Sequence, residues 1–194
     1  MDMTTAVRTA AVHHEAPMFR HAVDALYWAY SRRPVIDTAW PDMIHEKTET
    51  GEVQLDYSRA GFGMSPLPQG MDGVAQAGMI LALVQAMPNP FERQAIQARY
   101  GRRRATETLQ AMIGLIPVAR GACGTGAHHY QIIDGLVQRH FGRRVKLKDL
   151  AYKCSVHVNT VSTKWRLIQK SMFGLEARAL DRLTLEMQER GLLA

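Results

Sequence analysis

Apolar positions recur every three to four residues through most of this chain, the spacing of amphipathic helices. Between Pro17 and Ser31, Phe19, Ala22, Val23, Leu26, Tyr27 and Tyr30 share one face, and Pro34 follows Arg32-Arg33 where such a helix must stop. That pattern predicts a helix facing the core. Periodicity fails from about 35 to 70, where Pro, Gly and charged residues mix with Trp40, Tyr57 and Phe62, and Thr50-Gly51 would suit the tip of a short hairpin. Beyond it, Asp72 is expected to cap a helix running to about Met87, and Asn89-Pro90 to restart one carrying Phe91, Ala95, Ile96 and Tyr100. Thr106 to Val118 continues the helical spacing, with Pro117 near its end.

Glycines at 121, 124 and 126 then break the pattern, and Arg120 to Ala127 is the expected domain boundary. A phosphate-cradling loop needs the GxGxxG or GxxxxGK[ST] spacing after a strand, and neither is present. From His128 to Phe141, Ile132, Ile133, Leu136, Val137 and Phe141 turn inward on one helix. Next comes the most specific spacing in the chain, from Lys146 to Met172. Leu147, Leu150, Ala151 and Cys154 fall on one face of a first short helix, and Val161, Trp165, Ile168 and Met172 on one face of a second. This is the spacing of a helix-turn-helix, with Val156 plugging the angle, Ser155 where the turn often has Gly, and His157 where Ser or Thr often caps. Leu175 to Gly191 predicts a last helix. The expected fold is therefore all-α: a helical N-terminal domain over 1–120, irregular at about 35–70, then residues 121–194 as a sigma-domain-like three-helix helix-turn-helix unit plus a terminal helix.

Side chains not needed for packing give the second motif helix its chemistry. His157, Asn159, Thr160, Ser162, Thr163, Lys164, Arg166, Gln169 and Lys170 are hydrogen-bonding groups and cations without a carboxylate. The first residues of such a helix reach base edges, so His157, Asn159, Ser162 and Thr163 are the base-reading candidates, Asn pairing best with adenine. Lys164, Arg166 and Lys170, with Arg143, Arg144, Lys146 and Lys148 at the motif's entry, are the phosphate-contacting candidates. The same spacing also describes an ordinary amphipathic helical pair with a solvated basic face. Charge distribution favours DNA: residues 1–90 carry a formal −4 and residues 91–194 a formal +10, within a total of +6. Arg102-Arg103-Arg104 adds to the basic half, or forms a solvated inter-helix loop.

Catalytic signals are absent from the sequence: there is no nucleophile elbow and no HExxH. The adjacent pairs His13-His14 and His128-His129 point about 100° apart on a helix and chelate poorly. Cys123 and Cys154 are the two cysteines, far apart, with neither a disulfide framework nor paired zinc spacing; only in three dimensions could Cys123, His128 or His129, and Cys154 collect a zinc, and no metal or cofactor is expected. The longest apolar run, around 78–84, falls short of membrane length, and the first residues lack signal-peptide order. The expectation is a non-enzymatic cytoplasmic protein without a membrane partner.

Several blocks together resemble a known family. ALYWAY at Ala25 to Tyr30, MDGVAQAGMI at Met71 to Ile80, ARY at Ala98 to Tyr100, the C-terminal helix-turn-helix and GLEA at Gly174 to Ala177 resemble phage-encoded DNA-binding regulators of the late-gene antitermination (Q-like) type. Members of that group often carry a cysteine-rich zinc-binding insert, where this chain has RRRATETLQAMIGLIPVARGACGTG. The resemblance implies a helical protein that binds double-stranded DNA near a late promoter in the host cytoplasm. It also implies that the protein engages bacterial RNA polymerase and lets it read through terminators. The motif is similar, too, to the promoter-reading module of sigma factors. A sigma-like activator, or a helix-turn-helix subunit for packaging or protein interaction, is the alternative reading.

Overall fold

The computed structural model describes residues 18–32, 70–101, 105–124 and 130–193. The segment at 35–69, its Thr50-Gly51 turn, Arg102 to Arg104 and both histidine pairs lie outside the described residues. Among those described, the chain is all-α, with one isolated bridge between Phe19 and Leu193.

Helix α1 (Ala22–Arg32) buries Ala22, Ala25, Leu26, Trp28, Ala29 and Tyr30. Its inward face is rotated from the expected one: Tyr27 is exposed and meets Tyr100 edge-on at 4.9 Å, while Trp28 is buried against Phe19 at 5.3 Å. Helix α2 (Gly70–Gln85) opens before Asp72, which therefore lies within the first turn and is not the cap. Helix α3 (Pro90–Tyr100) starts as expected, with Asn89 Oδ1 accepting from the Phe91 N–H at 3.0 Å and Pro90 in the first turn. The run expected from Thr106 to Val118 divides at Leu115 into α4 (Thr106–Gly114) and α5 (Ile116–Ala122). Pro117 explains the break, because its ring has no N–H to give and crowds the carbonyl four residues earlier.

Helix α6 (Tyr130–His140) buries Ile132, Ile133, Leu136 and Val137, with Phe141 just beyond it, as the spacing predicted. Gly142, at φ 85°, takes the left-handed conformation that ends the helix, its N–H reaching the Arg139 carbonyl and the Arg143 N–H the Gln138 carbonyl. Helix α7 (Leu147–Lys153) follows. Its Leu150 approaches α6 at Gly135, where a Cβ would lie 2.6 Å from Leu150 Cδ2. Helix α8 (Val158–Glu189) is a single element of 32 residues, about 48 Å long. The motif's second helix and the terminal helix, expected as separate elements parting between Met172 and Leu175, are therefore one. Gly174 is the only weak helix former at that junction, and one glycine lowers helix stability without stopping the hydrogen-bond ladder.

Buried side chains form two clusters, and α8 runs through both. One joins α3, α4 and α5 to α6, α7 and the first half of α8, from Ala95 to Leu175. The other joins Phe19, α1 and α2 to the second half of α8 and to Leu192 and Leu193. The grouping thus crosses the boundary expected at 120/121: α3 to α5 share a core with the motif, and the chain's last turn packs on α1. The Phe19 N–H donates to the Leu192 carbonyl at 3.1 Å, tying the first described residues to the last.

Candidate nucleic-acid interface

The turn between α7 and α8 is built from backbone hydrogen bonds. The Val156 N–H donates to the Ala151 carbonyl at 3.0 Å and the Ser155 N–H to the Tyr152 carbonyl at 3.2 Å, the paired bonds of a Schellman helix end. Ser155 holds the left-handed position at φ 51° that sequence patterns usually give to glycine. Ala151 and Leu150 are buried below it, Val156 packs on the same cluster, and Val161, Ile168 and Met172 face them from α8. His157 caps α8, its Nδ1 accepting from the Asn159 N–H at 3.2 Å. The imidazole thus replaces the hydroxyl of a usual cap, with Nδ1 unprotonated in this arrangement. Arg139 fixes the loop that leads in, donating from Nη1 to the Val145 carbonyl and stacking over Trp165 at 5.3 Å.

On α8, Asn159, Thr163, Arg166 and Lys170 recur at spacings of three and four, so one exposed stripe carries all of them. Ser162 sits at its half-buried flank. Two of the base-reading candidates are engaged by backbone: His157 through its cap, and Thr163, whose hydroxyl donates to the Asn159 carbonyl at 3.0 Å. His157 Nε2, the Asn159 amide and the acceptor side of the Thr163 hydroxyl remain for a ligand. Between Val158 and Leu175 the helix has no carboxylate, and the first turn, where unsatisfied N–H groups give a partial positive charge, has no acid.

The phosphate-contacting candidates divide. Arg166 and Lys170 stand on the stripe; Arg144, Lys146 and Lys148 are exposed before and on α7; Arg143 is half-buried. Lys164 points elsewhere, toward the end of α5. There, burial pushes the Cys123 thiol up and the Lys164 charge pulls it back. Cys154 is buried, and among the described residues no three His, Cys, Asp or Glu side chains gather as metal ligands.

A second polar constellation joins α3, α6 and α8. Glu176 accepts from Arg99 Nε at 3.0 Å and Nη2 at 2.8 Å, a bidentate pair, and lies 2.6 Å from His140 Nε2. Arg99 also donates to the His140 carbonyl at 3.3 Å. The His140 side chain is 1% exposed and packs edge-on against Phe141 and Phe173. Burial alone pushes Glu176 up; hydrogen bonds from His140 and Arg99, with the guanidinium charge, win and hold it below its ordinary 4.5. Nearby, burial and the Tyr27 and Glu176 neighbours push the Tyr100 phenol up to about 12. Arg99, Glu176 and His140 come from α3, α8 and α6, 77 and 36 residues apart, and no local spacing could have linked them.

No family model, curated protein or solved structure matches the chain.

Proposed function

We propose that this chain is a sequence-specific DNA-binding transcription regulator, with α6, α7 and the first half of α8 acting as a helix-turn-helix unit. One observation carries the reading: the exposed stripe of α8 begins at a capped helix N-terminus, bears Asn159, Thr163, Arg166 and Lys170, and holds no carboxylate before Glu176. An anionic groove is the partner such a surface fits, and the exposed cations at Arg144, Lys146 and Lys148 extend it toward the backbone of the duplex. Asn159 and the free edge of His157 contact bases, while Arg166 and Lys170 contact phosphates.

Antitermination through bacterial RNA polymerase is the specific form of this proposal, and it draws on the resemblance of ALYWAY, MDGVAQAGMI, ARY and GLEA to the Q-like regulators. The test is selection of bound duplexes from a random pool, followed by titration of the selected site. Asn159→Ala should lose discrimination at one base pair, by about 1–3 kcal/mol. Equal affinity of Asn159→Ala and Arg166→Ala to the parent on that site would refute the proposal. A terminator read-through assay with purified polymerase separates antitermination from simple promoter binding.

A further inference from the structure

The outward face of α8 holds a second pattern, downstream of the base-reading residues. Val161, Ile168, Met172, Leu175, Ala179 and Leu183 turn inward. On the opposite side, Leu167 and Leu185 share one line at 44% and 62% exposure, and Phe173, one edge of which meets His140, stands 52% exposed on the flank. Gly174 and Ala177 lie between Leu167 and Leu185, and Lys170 and Asp181 flank that pair of small residues. Neither Lys170 nor Asp181 takes part in an ion pair among the described residues.

We infer that this face pairs with the same face of a second copy of the chain, the two α8 helices running antiparallel and crossing between Leu175 and Glu176. Charge selects the direction. A parallel pair would set Lys170 against Lys170 and Asp181 against Asp181, whereas the antiparallel pair sets Lys170 of each copy against Asp181 of the other. Within one chain these two residues are about 16 Å apart along the axis and cannot meet. The same register places Gly174 opposite Ala177, where small side chains let the axes approach at the close end of the usual range of about 8–10 Å. Leu167 then meets Leu185. Every contact occurs twice, as a two-fold interface requires.

Arg166 and Lys170 share this face, so pairing and DNA contact exclude one another. That consequence, unlike the pairing itself, rests on the proposed function. Self-association then holds the DNA-reading face covered until duplex displaces the second copy.

Sedimentation velocity of the full chain, from low to several hundred micromolar at low salt, tests the pairing. The sedimentation coefficient should rise from monomer to dimer with concentration. Lys170→Glu should weaken the dimer by about tenfold or more, since it creates two like-charge contacts, and Leu185→Glu should do the same. Lys170→Glu combined with Asp181→Lys in one chain should restore the parent's association, which no effect within a monomer could do. Circular dichroism checks that each variant is folded. A chain monomeric throughout, or a dimer indifferent to Lys170→Glu, would overturn the inference. Adding a random-sequence duplex should dissociate the dimer; a complex holding DNA and the paired form together would overturn the exclusion. If no duplex binds at all, the DNA reading falls while the sedimentation result still decides the pairing.

Discussion

Glu176 shows how one side chain ties α8 to the helices around it. It lies on α8 where the two buried clusters meet, and it satisfies Arg99 from α3 and His140 from α6 at once. Replacing it with Ala leaves the half-buried guanidinium of Arg99 without its carboxylate, and a loss of about 2–4 kcal/mol is expected in urea unfolding. Its carboxyl is held below the ordinary value in the folded state, so its contribution is present above the unfolded pKa of 4.5. That contribution is lost as pH falls through the lower folded value. The stability gap between the parent and Glu176→Gln should therefore be wide at neutral pH and close progressively below about pH 4.5. A gap that widened on acidification would contradict the ionised assignment.

At the scale of elements, the turn into α8 and the length of α8 make opposite predictions for glycine. Ser155 holds φ 51°, a conformation that costs an L residue about 1 kcal/mol. Ser155→Gly should therefore stabilise the protein by up to about 1 kcal/mol in thermal or urea unfolding, and Ser155→Val should destabilise it. Gly174 sits mid-helix with room around it: an added Cβ would meet only Arg178 Nη1, at 3.8 Å. Gly174→Ala should stabilise by about 0.5–1 kcal/mol, and Gly174→Pro should cost about 3 kcal/mol or more by breaking a helix that both clusters share. If α8 were two helices parting at Gly174, the proline would be tolerated.

At the scale of the whole molecule, α8 contributes to both buried clusters, and this is where sequence and structure part. The inward faces of α6, α7 and early α8 were legible because each depends on a local period of 3.6 and on partners within the same segment. The Asn89 cap and the Pro90 start were legible for the same reason. What could not be read were choices made by distant partners: Trp28 over Tyr27 as the buried aromatic, α3 to α5 joining the motif's core, and Arg99 meeting Glu176 across 77 residues. His140 is not legible either, because a histidine ending an amphipathic helix gives no sign of packing against Phe141, Phe173 and Trp165. The continuity of α8 is hidden in the sequence because Gly174 falls where the expected helix-turn-helix spacing ends.

The central claim, that the outward stripe of early α8 holds DNA, is tested most directly by fluorescence anisotropy of a selected duplex across a salt series, with the parent and Arg166→Ala. The account predicts that log affinity falls linearly with log salt, and that Arg166→Ala weakens binding to all sequences alike and makes the slope shallower by about one. Salt-independent binding, or a slope unchanged by Arg166→Ala, would contradict it.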